Sequence, residues 1–212
     1  MAGIVPPEIE RYAEEYTTPL PPLLEELAGE TAERFPDRFG MLCGQVEGQF
    51  LQMLVAATDA HRVLEIGTFT GFSALMMAAA LPDHGELITL ELSAEHAAFA
   101  RSFFERSPDG GKITLIEGPA LESLRRLSGT FDFVFIDADK TGYVAYYDAV
   151  LPMLSARGLI AVDNVLREGN VLGPKDEGDR AIVAFNGKIA RDERVVQVIT
   201  TVCDGVMLIR KE

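Results

Sequence analysis

Val63-Leu64-Glu65-Ile66-Gly67-Thr68-Phe69-Thr70-Gly71-Phe72-Ser73 is the stretch on which the reading of this chain turns. A short apolar run enters a turn with two glycines and leaves it with helical periodicity, so the order is strand, tight turn, helix. Glycine in such a turn lets a ligand approach the backbone and leaves helix N–H groups facing it. The pattern is Glu-x-Gly-x-x-x-Gly and not Gly-x-Gly-x-x-Gly, so the spacing that goes with pyrophosphate is missing. Glu65 repels phosphate and welcomes a cation or an amine.

Downstream, short β-branched runs alternate with helical patterns, the signature of a parallel sheet covered by helices on both faces. Strands are expected at Arg62–Ile66, Glu86–Glu91, Lys112–Glu117, Phe131–Asp137, Gly158–Asp163, Val195–Thr200 and Val206–Arg210. Helices are expected at Thr70–Leu81, Ala94–Ser107, Ala120–Leu127, Gly142–Leu154 and Lys175–Arg191. Only Thr201-Val-Cys-Asp-Gly separates the last two strands, which suits a hairpin, whereas a parallel crossover needs about a dozen residues. The final strand is therefore expected to be antiparallel. The dinucleotide-binding sheet is built from two parallel halves, so this ending favours a methyltransferase-type architecture. Residues 1–60 carry prolines at 6, 7, 19, 21 and 22 and a helical pattern over Gln45–Ala57, and read as a helical cap. The expected organisation is one domain over residues 1–212, the cap followed by a catalytic sheet at 61–212.

The 212 residues contain 19 Lys and Arg against 33 Asp and Glu, a net charge of −14. A field of that sign repels nucleic-acid phosphates and anionic membrane surfaces, so neither is an expected partner. Cys43 and Cys203 form no C-x-x-C pair or Cys/His cluster, which indicates neither a disulfide framework nor a thiolate metal site. The N-terminus has no basic segment followed by an apolar run, and no stretch reaches the roughly 18 apolar residues of a membrane span. A cytoplasmic, soluble protein is the expectation.

Glu91 ends the second strand 24 residues after Gly67, where an acid can accept hydrogen bonds from ribose hydroxyls. Glu117-Gly118-Pro119-Ala120 closes the third strand, with Pro119 suited to a first helical turn, and its backbone can face an adenine edge. Alone, each reads equally well as a tight turn or a helix cap. Together they suggest a cationic ligand with a ribose, and S-adenosylmethionine has both features.

The fourth strand, Phe131-Asp-Phe-Val-Phe-Ile, stops abruptly at Asp137-Ala138-Asp139-Lys140, and the fifth, Leu159-Ile-Ala-Val, at Asp163-Asn164. Acids that finish buried parallel strands lie in the crevice at the carboxyl edge of the sheet. If these strands are neighbours, Asp137, Asp163 and Asn164 converge into an incomplete all-oxygen set suited to Mg²⁺, Mn²⁺ or Ca²⁺. Zinc is disfavoured because His61, His84 and His96 lack ligand spacing. Near such a cation the ammonium form of Lys140 is disfavoured, which suits a general base.

These motifs, together with Glu47-Gly48-Gln49-Phe50-Leu51, resemble the cation-dependent class I O-methyltransferases of the caffeoyl-CoA and catechol type. The resemblance implies that Glu65, Gly67, Thr68 and Ser73 hold the methionine part of S-adenosylmethionine, Glu91 the ribose, and Ala120 the adenine through its backbone. It implies Asp137, Asp163 and Asn164 as metal ligands, with Asp137 also near cofactor and substrate, Lys140 as catalytic base, and a homodimer. Two positions depart from the plant pattern. Arg167 stands where plant members have a tryptophan, so the plant substrate is not carried over. Cys43 replaces a threonine beside the cofactor, leaving a backbone contact there.

The implied reaction is methyl transfer to a hydroxyl of a vicinal dihydroxy aromatic small molecule, with a divalent metal. A dinucleotide-dependent oxidoreductase and a non-catalytic cofactor-binding protein are the alternatives. A CoA-ester acceptor is disfavoured by the acidic balance, yet Arg167, Lys175 and Arg180 could form a local basic rim.

Overall fold

The computed structural model describes residues 4–212. Residues 1–3, the start of the expected cap and of the segment inspected for a leader, lie outside the described residues. Seven strands form one sheet: β1 Arg62–Ile66, β2 Glu86–Glu91, β3 Ile113–Glu117, β4 Phe131–Ile136, β5 Leu154–Val162, β6 Val195–Thr200 and β7 Val206–Lys211. Their spatial order is β3-β2-β1-β4-β5-β7-β6. The first five are parallel, and β7 is antiparallel to both β5 and β6. The last strand thus folds back and inserts between the fifth and sixth, which makes the expected hairpin part of the sheet body.

Eight α-helices surround the sheet: α1 Pro7–Glu15, α2 Pro22–Arg34, α3 Gln45–Ala57, α4 Phe72–Ala78, α5 Ala94–Phe104, α6 Ala120–Leu124, α7 Tyr143–Val150 and α8 Glu177–Ile189. Alternation along each strand sends side chains to two cores. Leu64, Ile66, Val134 and Ile136 pack with α7 and α8 residues such as Tyr147 and Phe185. Val63, Phe133 and Phe135 pack on the other face with residues of α2 to α5 such as Leu27, Leu51, Met76 and Phe103. Because β4 is central and covered on both faces it reads as a nearly continuous apolar run, and each such side chain contributes ~1.5–3 kcal/mol by leaving water.

Several expected boundaries shift for local reasons. The helix expected over Gly142–Leu154 ends at Val150, followed by one 3₁₀ turn at Leu151–Met153, because Pro152 has no N–H to continue it. The fifth strand starts at Leu154, four residues before the expected Gly158, because Leu154 already pairs with Phe131 across a register shift. Pro119 precedes the first residue of α6 instead of occupying it. α8 starts at Glu177 because Asp176 caps it, accepting from the backbone N of Asp179 at 2.7 Å. Gln45–Ala57 is the expected helix with unchanged ends.

Candidate active site

The ladder continues one residue past each strand end. Gly67 N donates to Leu90 O at 3.0 Å, Asp137 N to Ile66 O at 2.9 Å and Asp163 N to Ile136 O at 3.0 Å. These bonds level Gly67, Asp137 and Asp163 along the carboxyl edge, beneath one cavity of about 1210 Å³. Typical ligand pockets span about 300–1,000 Å³, so this one has room for two reactants. Gly67 is obligatory: its φ is +102°, and a Cβ there would lie 2.1 Å from Asp137 O.

Toward β2, the polar groups are already paired. Register sets Glu65 opposite Thr89. Glu65 is fully buried, accepting from Ser73 Oγ and Thr89 Oγ1, each at 2.5 Å. Thr68 Oγ1 lies 2.5 Å from Thr89 Oγ1. Burial lifts the Glu65 carboxyl to about 8, opposed by those two hydrogen bonds. Gly67, Thr68 and Ser73 line the cavity, whereas Glu65 sits one layer behind its wall and reaches it through Ser73. Glu91 lines the cavity and accepts from Phe69 N and Ser93 N, both at 2.8 Å. Ala120 and the backbone around Gly118 complete this wall, whereas Cys43 lines the cavity beside Glu47 and the strand-end acids.

Toward β5, the pairing is incomplete. Ile136 and Val162 are register partners, so β4 and β5 are neighbours and Asp137 and Asp163 emerge side by side. Asn164 adopts a left-handed φ of 55°, tolerable for asparagine. Lys140 Nζ donates to Asp137 Oδ1 at 2.8 Å, Asn164 Oδ1 at 2.5 Å and Tyr143 Oη at 2.7 Å. Asp163 Oδ1 is buried without a partner, and so is Oε1 of Glu47, which α3 contributes from the cap. Burial pushes both carboxyls up, and the negative charge of Asp137 adds to it. Tyr143 is fully buried and held as a neutral phenol, burial pushing its ionisation up. Among the described residues no group of three His, Cys, Asp or Glu side chains could hold a metal ion alone. The converging set is two carboxylates and one amide, all hard oxygen donors, and two of the three already hold an ammonium. That chemistry fits a small divalent cation.

Sequence reasoning singled out neither Glu47 as part of the site nor Tyr143. Tyr143 stands three residues after Lys140, a spacing that could have pointed to it, whereas Glu47 enters through helix packing. The loop after β5 was also unforeseen. Arg167 and Glu168 both have positive φ, and Arg167 Nε reaches Asp179 Oδ1 at 3.0 Å. Asp179 is completely buried, and its carboxyl is held low by the Lys175 N–H and by Arg167.

A sheet whose last strand returns between the fifth and sixth is not the dinucleotide-binding arrangement, and a cavity running from Glu91 across the glycine turn to paired acids suits a nucleoside cofactor beside a second, smaller reactant. Fold and site together define an α/β methyltransferase. The family model described as O-methyltransferase matches residues 14–212. A probable caffeoyl-CoA O-methyltransferase of Dictyostelium discoideum is 36% identical over 208 residues, covering 94% of this chain and 90% of that protein. The caffeoyl-CoA O-methyltransferase of Petroselinum crispum is 37% identical over 179 residues, covering 78% and 74%. An SAH-bound methyltransferase of Podospora anserina superposes with a TM-score of 0.91 at 31% identity, covering all of both chains. The chain belongs to the O-methyltransferase family and is an S-adenosylmethionine-dependent enzyme. Both the oxidoreductase and the non-catalytic alternatives fall with that membership.

Proposed function

We propose that the enzyme methylates one hydroxyl of a catechol-like, vicinal dihydroxy aromatic molecule and uses a divalent cation, with Mg²⁺ favoured over Mn²⁺ or Ca²⁺. The observation that carries this reading is the pair of adjacent strand ends at Asp137 and Asp163, with Asp137 and Asn164 already holding one cation, the Lys140 ammonium. Asp137, Asp163 and Asn164 would hold the metal. S-adenosylmethionine supplies an activated sulfonium methyl, and the metal supplies Lewis acidity that favours the phenolate.

The chain's own residues do the rest. Gly67, Thr68 and Ser73 line the stretch assigned to the methionine part, Glu65 fixes Ser73 from behind, Glu91 takes the ribose hydroxyls, the backbone of Ala120 flanks the adenine, and the backbone of Cys43 lies beside the cofactor. Lys140 Nζ, in its neutral form, accepts the phenolic proton. Tyr143 Oη fixes that nitrogen from the side away from the cavity. Asp137 joins both halves of the site. Holding two reactants in one cavity contributes ~7–11 kcal/mol toward the barrier.

The test is turnover of S-adenosylmethionine and a simple catechol with Mg²⁺, then with a chelator. Turnover unchanged by chelation overturns the metal assignment, and full activity in Asp163→Ala and Asn164→Ala overturns the ligands. We further propose a single domain capped by residues 1–60, a cytoplasmic location without nucleic-acid or membrane partners, and a homodimer. No helix among the described residues is long and apolar enough to cross a membrane. Exposed Val196 and Val198 on edge strand β6 and Met53 on α3 are surfaces an assembly could cover. Light scattering on the purified protein tests the dimer.

A further inference from the structure

The acceptor end of the cavity is acidic well beyond what a metal would neutralise. A divalent cation would offset two of the three charges that Glu47, Asp137 and Asp163 carry when ionised. Outside that inner group the wall carries Glu10 from α1, Glu168 from the loop after β5 and Asp204 from the β6–β7 turn. The one cation among them is Arg167, and it is already engaged. Its Nε bonds Asp179, which is fully buried, and its Nη2 lies 3.8 Å from Asp176 Oδ2. Arg38 stands at the opposite end of the cavity, 3.2 Å from His96 Nε2. Lys175 and Arg180 do not line the cavity, and Asp176, Glu177 and Asp179 lie between them in the chain. Of the three residues of the basic rim that the sequence allowed, only Arg167 lines the cavity.

A CoA thioester carries several phosphate charges, which proteins hold with forked arginines, lysines or helix N-termini. An aromatic acid needs at least one unengaged cation. Among the described residues lining this end of the cavity the basic side chains are Lys140 and Arg167, and both are engaged. We infer that the acceptor is a free catechol whose remaining substituent is neutral or cationic, and not a CoA thioester or a carboxylic acid. This rests on the proposed function above and narrows its acceptor.

Four probes of graded charge test it: dopamine, methylcatechol, dihydroxyphenylacetate and caffeoyl-CoA, each assayed with S-adenosylmethionine and Mg²⁺. At low salt kcat/KM should fall in that order, with dopamine ahead of dihydroxyphenylacetate by about tenfold or more, and the gap should shrink as salt screens the mouth. Glu10→Lys combined with Glu168→Lys should narrow the dopamine to dihydroxyphenylacetate ratio several-fold. The ratio is taken within one protein, so a general loss of fold or cofactor affinity cancels. Preference for caffeoyl-CoA or dihydroxyphenylacetate, or equal use of the three free catechols, overturns the inference while leaving catechol methylation standing. Turnover of none of the four overturns both.

Discussion

The two ends of the cavity are built on opposite principles. Below the β2 end, Glu65, Thr68, Ser73 and Thr89 form a closed hydrogen-bonded group, and Glu91 is held by two backbone N–H groups. At the β5 end, Glu47 and Asp163 each bury an oxygen with no partner, and of the three acids only Asp137 pairs with the Lys140 ammonium. Leaving a buried polar group unpaired costs about 1–3 kcal/mol, more when it is charged. The difference separates a surface finished in advance from one that the proposed cation would complete. Substitutions at the finished end should register first in stability, and those at the unfinished end first in turnover.

The largest effect is expected at the unfinished end. Asp137→Ala removes an acid from the cation set and frees Lys140 from its ion pair, so kcat should fall by roughly 10²–10³ or more, as losing a preorganised electrostatic partner does. The folded protein should lose much less in S-adenosylmethionine affinity than in turnover. Calorimetry beside steady-state rates checks both, and equal losses in binding and turnover would erase the distinction between the ends.

Gly67→Ala is expected to act on the finished end with the second-largest effect. The added methyl would strike the Asp137 carbonyl from a left-handed backbone, a combination worth about 3 kcal/mol or more of stability. Urea unfolding at neutral pH measures it, and a loss under 1 kcal/mol would mean the turn can relax.

Glu65 gives a pH test at that same end. Its folded carboxyl sits at about 8 against 4.5 for an unperturbed group, so between those values the folded state binds the extra proton. The resulting stability is complete below pH 4.5 and is lost as pH rises toward 8. Glu65→Gln removes this dependence, so wild type should lose ~2 kcal/mol or more relative to the variant between pH 5 and 9. Parallel stability curves across that range would show that Glu65 ionises without penalty.

Much of this contrast was legible in the sequence, for a physical reason. Acids ending continuous apolar strands can emerge only at the sheet edge, so Asp137, Asp163 and Glu91 were found without coordinates. Glu65 departs from its expected direct contact with the ligand, because alternation turns it away from Leu64 and Ile66 to Ser73 and Thr89, from whose hydroxyls it accepts behind the wall. What lay outside reach depended on packing between distant segments. Glu47 enters through the seating of α3, the early start of β5 through a register shift, and the Arg167–Asp179 pair through a left-handed kink that no periodicity announces.

The smallest effect should come from Tyr143→Phe, and it separates positioning from cation holding. Of the three oxygens on Lys140 Nζ, the phenol is the only one outside the set assigned to the metal. If a metal takes Asp137 and Asn164, Tyr143 is the remaining anchor of the base. Removing the hydroxyl leaves the ring packed against Phe185 but also gives up its 3.2 Å hydrogen bond to the Asp163 backbone carbonyl. kcat should then fall about tenfold, which corresponds to ~1.4 kcal/mol, while metal affinity by calorimetry and KM for S-adenosylmethionine stay within about twofold. A structural role alone would shift all three together, and an unchanged kcat would mean that Asp137 and Asn164 suffice to place the lysine.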